Sequence, residues 1–227
     1  MDKRLSKIID ENQQKFESWI EILNNHQNSF FGEKLCIADT EILSEKTANT
    51  IWEISNLAIK YGNFKDEFDN SKMYLNLYGP SIIIKSKKTG ITFYLATDLN
   101  GIYLETYFLN EVNLKNMGDG FWKELFELKK YKGFEYVENS YFDIDVQRKY
   151  PELFHTYKST IFLMFRKYFL SQTENHNDID LGSLKINWKS NENFETIISE
   201  ICTSFKSMYK INYKLWKITD LRNKKKK

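Results

Sequence analysis

Apolar side chains recur along this chain at two different periods, and the changes of period divide it into elements. From Lys3 to Asn24 they fall three or four apart (Leu5, Ile8, Ile9, Phe16, Trp19, Ile20, Leu23), the spacing of one buried helix face. Asn24, Asn25 and the polar residues behind them are expected to end that helix. A loop or short strand around Leu35 to Ile37 follows. A second helix is predicted over 45–61, with Ile51, Trp52, Ile54, Leu57, Ala58 and Tyr61 inward and Gly62 as its C-terminal stop. Lys65 to Asn70 reads as an acidic loop.

The period then drops to two. Met73 to Tyr78 and Ile82 to Lys85 read as strands joined at Gly79-Pro80, and Lys87-Lys88-Thr89-Gly90 makes the next turn. The stretch Ile91 to Leu109 carries Asn100-Gly101, a dipeptide that two-residue hairpin turns prefer because both positions need positive φ. With those residues as the turn, Leu99 faces Ile102, Thr97 faces Leu104 and Phe93 faces Phe108. One face then collects Phe93, Leu95, Leu99, Ile102, Leu104 and Phe108, which reads as core. The other collects Tyr94, Asp98, Tyr103, Glu105 and Tyr107.

Helical spacing returns over 120–132, and Phe134 to Val137 suits a short strand. Pro151 opens a helix running to about Leu170 that is apolar nearly all round. A polar loop, a strand over Leu184 to Trp188 and a helix over 192–217 complete the pattern. In that last helix Cys202 shares a stripe with Ile198, Ile201 and Phe205. Helices, a run of strands, then helices again predict an α+β fold. A four-stranded antiparallel meander over about residues 72–109 is expected, packed on one face by amphipathic helices. Residues 1–221 form one domain in this reading, and 222–227 a basic C-terminal tail.

The totals support a packed core: of 227 residues, 41% are hydrophobic and 16% aromatic. The net charge of +2 is unevenly spread. Arg222 and Lys224 to Lys227 hold five of the 33 basic residues; set against 31 acidic ones, residues 1–221 carry about −3. Such a body matches a phosphate backbone poorly over its whole surface. Arg is the commonest reader of guanine edges, and only Arg4, Arg148, Arg166 and Arg222 are present. The Lys, Asn and Ile richness points to an AT-rich genome, bacterial or phage. Cys36 and Cys202 fit no metal or redox spacing. The N-terminus lacks the apolar run of a signal peptide and no stretch reaches membrane-spanning length, so a cytoplasmic protein without a membrane partner is expected.

Motifs that name a reaction are missing. Neither a Walker-type nor a GxGxxG pattern occurs. Asp119, between Gly118 and Gly120, reads as a helix N-cap rather than part of an anion site. His176, Asp178 and Asp180 resemble a calcium loop only loosely, because Ile179 and Lys185 stand where Gly and Glu are needed. His26 and His155 form no zinc spacing, and there is no GxSxG elbow. No catalytic residue, metal or cofactor is therefore assigned.

Metal-dependent nucleases place two carboxylates and a lysine on one sheet edge. Asp98 and Glu105 share a face and Lys85 could join them, but Tyr107 occupies the position where the lysine is wanted. Three tyrosines around two carboxylates fit a recognition surface better. The reading is a non-enzymatic protein-binding inhibitor or neutraliser of microbial conflict, immunity-type or phage anti-defence-type, docking through Tyr94, Asp98, Tyr103, Glu105 and Tyr107. A basic protein such as a nuclease suits the acidic body. The alternative is a metal-dependent nuclease-like or nucleic-acid-binding protein, with the basic tail touching nucleic acid.

Overall fold

The computed structural model describes residues 2–31, 37–76, 78–137, 168, 182–189 and 192–225. Helix α1 (Lys3–Ser29) is capped by Asp2, whose side chain accepts the Arg4 N–H at 3.1 Å. Its predicted stripe is buried from Leu5 to Leu23, with Ile20 partly so. The helix runs past Asn24-Asn25 because His26 extends the stripe. The His26 Nε2 lies 3.2 Å from the Tyr78 carbonyl oxygen and 3.3 Å from Thr97 Oγ1. Burial holds the His26 pKa below its ordinary value. Helix α2 (Ile37–Gly62) begins well before residue 45. Ile51, Ile54, Ala58 and Tyr61 are buried, but Trp52, expected inward, is 44% exposed. It stands about 100° around the helix from Ile51.

Among the described residues six antiparallel strands follow instead of four. They are β1 (Phe68–Asn76), β2 (Gly79–Ser86), β3 (Thr92–Asp98), β4 (Gly101–Tyr107), β5 (Phe134–Val137) and β6 (Ser183–Lys189), in the order β1-β2-β3-β4-β6-β5. The first four make the expected meander, since short connections keep sequence neighbours adjacent. The other two join from far along the chain, where connection length gives no such guidance. At the entry to β5 a side chain is forbidden: a Cβ on Gly133 would collide with the Asn187 carbonyl oxygen.

The hairpin turn is Leu99-Asn100, not Asn100-Gly101. Gly101 opens β4 at φ 137° and pairs with Asp98, and the Asp98 side chain accepts the Asn100 N–H at 2.8 Å. The pairs become Thr97–Ile102, Leu95–Leu104 and Phe93–Thr106. This slips the register by two residues, and an even slip leaves every side chain on its predicted face. Phe93, Leu95, Ile102, Leu104 and Phe108 are buried, whereas Leu99, expected in the core, sits at the turn and is 37% exposed.

Helix α3 (Asp119–Glu127) lies between β4 and β5, and helix α4 (Phe194–Lys225) follows β6. Gly118, not Asp119, is the α3 N-cap; Asp119 stands in the first turn, where a carboxylate favours the helix dipole. The helix stops short of residue 132 and passes into a 3₁₀ turn at Leu128–Lys130. Helix α4 outruns its expected end at 217, and Arg222 Nη1 donates to Asn113 Oδ1 at 3.1 Å. Ile82, Ile84, Leu184, Ile186 and Trp188 complete the buried sheet face, against which α2 and α4 pack. Buried Asn212 on α4 donates to the Tyr107 carbonyl oxygen at 3.2 Å and accepts the Leu109 N–H at 2.9 Å. The expected strand residues Leu35 and Cys36, the helix over 151–170 apart from Tyr168, and the loop with His176, Asp178 and Asp180 lie outside the described residues.

Candidate functional site

The alternation of β3 and β4 puts Tyr94, Asp98, Tyr103, Glu105 and Tyr107 on one sheet face, with Tyr94 directly opposite Glu105. Tyr107 is exposed and the other four half-buried. Tyr94 and Tyr107 meet edge to face, ring centroids 6.1 Å apart.

Strands β5 and β6 add what the hairpin alone could not show. Lys185 pairs with Glu105 on one side and Glu135 on the other. Its Nζ is 3.1 Å from Asp98 Oδ2, 3.9 Å from Glu135 Oε1 and 4.1 Å from the Tyr103 ring centroid. Ser183 Oγ donates to Glu105, and Asn187 Nδ2 donates to Glu135 Oε1 at 2.6 Å. The structure thus gathers Asp98, Tyr103, Glu105, Glu135 and Lys185 into one charged network, with Tyr94 and Tyr107 beside it. Lys185 answers the lysine missing at position 107, but it is ion-paired with Asp98 and Glu135. Among the described residues no group of three or more His, Cys, Asp or Glu side chains could hold a metal ion.

Burial, then the charges of Glu105 and Asp98, push the Tyr103 phenol up to about 12. Burial and the bond to Asp2 raise Tyr61 to about 12, and burial with the Asp66 bond raises Tyr209. Each phenol holds its proton more tightly folded than unfolded, where it titrates near 10. Their stabilising contribution is complete below about pH 10 and is lost as pH rises toward about 12. Thermal melts followed by circular dichroism should give a flat midpoint up to about pH 9.5 and a fall between about pH 10 and 12, in step with phenolate absorbance at the unfolding transition.

Two surfaces escaped the sequence reading. Among the described residues β1 is an outer strand of the sheet, and its last six residues, Ser71 to Asn76, are all exposed. Among them Met73, Tyr74 and Leu75 are large and apolar, Leu75 at 69% exposure. The end of α1 abuts the same region. Phe30 meets the Tyr78 ring at 6.4 Å, Gln27 Nε2 donates to the Leu99 carbonyl oxygen at 2.9 Å, and Phe31 is 71% exposed.

The second surface is a cavity of about 560 Å³ bounded by the start of α1, the residues after α2, the β2–β3 turn, α3 and the middle of α4. Arg4, Lys65, Lys88, Lys206, Lys210 and Lys214 line it with one carboxylate, Glu124, and the rings of Phe64, Tyr209 and Tyr213. The lysine row 206, 210, 214 is visible in the sequence at helical spacing. Lys65 and Lys88 join it only through the fold. No helix among the described residues is long and apolar enough to cross a membrane. No family model matches the chain, and neither the curated proteins nor the solved structures contain a match.

Proposed function

We propose that the protein is a non-enzymatic binding protein, an inhibitor or neutraliser that acts by docking on a protein target. The observation that carries this reading is the open β1 edge. An outer strand has half of its backbone N–H and C=O groups turned away from the sheet, ready to pair with an added strand. Proteins blunt such edges with charges, bulges, proline or a covering segment; here Lys72 and a register shift between Asp69 and Lys72 stand midway along the strand, but Met73, Tyr74 and Leu75 are exposed beyond them, with Tyr78, Phe30, Phe31 and Leu99 exposed as well. Contiguous exposed apolar surface of this kind marks interaction sites. The Tyr94/Tyr107 face is the polar flank of the same sheet, and tyrosine is enriched at interfaces. A mildly acidic body steers a basic target, such as a nuclease.

The carboxylates that a hydrolytic centre would use are tied to Lys185, Ser183 and Asn187, which favours docking over the nuclease-like alternative. Tagged full-length protein should capture a stoichiometric partner from its native host. Leu75→Lys, at an exposed strand position where circular dichroism should show the fold kept, should lower that capture at least tenfold. Equal capture by both proteins would remove the edge from the account.

A further inference from the structure

We propose that the basic cavity beside α4 binds single-stranded nucleic acid, with phosphates along the lysine row and bases against Tyr213 and Trp216. This site is separate from the β1 edge and does not depend on it.

Charge is the first argument. Six cationic side chains line the cavity against a single carboxylate, in a body that is otherwise mildly acidic. That carboxylate, Glu124, is held by Lys214 at 2.9 Å. Glu127 shares a small adjoining pocket with Lys210, and two further acids near the cavity are hydrogen-bonded. Asp66 accepts from Tyr209 at 2.6 Å and from Ser86 at 2.5 Å, and Asp2 accepts from Tyr61 at 3.2 Å. Among the described residues no ion pair forms at Arg4, Lys65, Lys206 or Lys210. Lys206, Lys210 and Lys214 follow one another at four-residue intervals on one helix face, a rise of about 6 Å each. Like charges at that interval oppose the helix, and an anionic chain laid along the row relieves them.

Aromatic surface is the second argument. Tyr209 stacks on Tyr213 at 5.9 Å and 25°, and Tyr213 meets Trp216 at 5.3 Å and 36°. Tyr213 and Trp216 are only partly buried, so ring surface remains for a base. Lys88 Nζ lies over these two rings at 5.6 Å and 5.9 Å from their centroids, so a flexible cation borders the aromatic surface. A positively charged groove with stacking rings is how proteins hold single strands without reading sequence. The near absence of arginine, the usual reader of base edges, agrees with binding that is indifferent to sequence.

Fluorescence anisotropy of the full chain with labelled oligo(dT) and oligo(U) of about a dozen nucleotides tests this. Binding at low salt should weaken as salt rises, with a logarithmic slope of about −2 if three phosphates are neutralised. Lys210→Glu, at an exposed position, should weaken it at least tenfold. Trp216→Ala should weaken it with the salt slope unchanged, as a lost stacking contact requires. Lys46→Glu, at an exposed position on α2 about four turns from the cavity, should leave it within twofold. The proposal is overturned by no binding at about 50 mM salt, or by equal losses for Lys46→Glu and Lys210→Glu. Equal competition by inorganic phosphate or by duplex DNA would also overturn it.

Discussion

Phe205→Ala is expected to cost the protein about 3–5 kcal/mol of stability, a large part of what a domain of this size has in reserve. Phe205 is completely buried on α4 and sits where three elements converge. Its ring is 4.6 Å from Phe93 on β3, 5.5 Å from Phe68 on β1 and 6.1 Å from Phe64 in the loop after α2. Truncation removes the ring from its apolar site and leaves a cavity that three rings on separate elements cannot close together. The helix layer and the sheet lose their main aromatic contact at once. Urea unfolding should show a lower midpoint with an unchanged slope. Phe205→Leu, which keeps most of the volume, should recover more than half of the loss. A midpoint for Phe205→Ala within experimental error of the parent would mean that α4 does not pack on the sheet as described.

Lys185→Met is the second large effect, roughly 3 kcal/mol at neutral pH, and its mechanism is electrostatic. Methionine keeps the apolar stem over Tyr103 but removes the cation that Asp98 and Glu135 share. Asp98 and Lys185 expose only 16% and 18% of their side chains. Solvent therefore does little to replace the lost partner, and three carboxylates are left facing one another. Asp98→Asn in the Lys185→Met background should cost less than the sum of the two single changes, by about 1–3 kcal/mol.

These two positions also show what could and could not be read from the chain. Phe205 belongs to a stripe with Ile198, Ile201 and Cys202 whose helical spacing is plain, and the stripe is buried as expected; the Cys202 thiol is pushed up to about 12 by that burial. Stripes and alternations report a local periodicity, and local periodicity survives folding. The hairpin faces survived for the same reason, although the turn moved. Asn-Gly is a statistical turn signal, but Asp98 capping Asn100 and the pairing of Leu95 with Leu104 favour a turn one residue earlier.

Lys185 illustrates the opposite case. Its strand was recognisable from Leu184 to Trp188, but nothing local says that this strand inserts between β4 and β5. The network around Asp98 exists only through that insertion. Trp52 was misplaced because an apolar residue next to a stripe looks like part of it, while a helix turns by about 100° between them. The open β1 edge was equally hidden, since alternation marks a strand without saying whether it ends the sheet.

The central claim is that the protein acts by docking through this edge. Hydrogen exchange of the full chain, alone and with the captured partner, tests it most directly. The account predicts that the partner slows exchange at Lys72 to Asn76 and at Phe30 and Phe31, with α4 unchanged around Lys210. Slowing confined to α4, or none at β1, would contradict it.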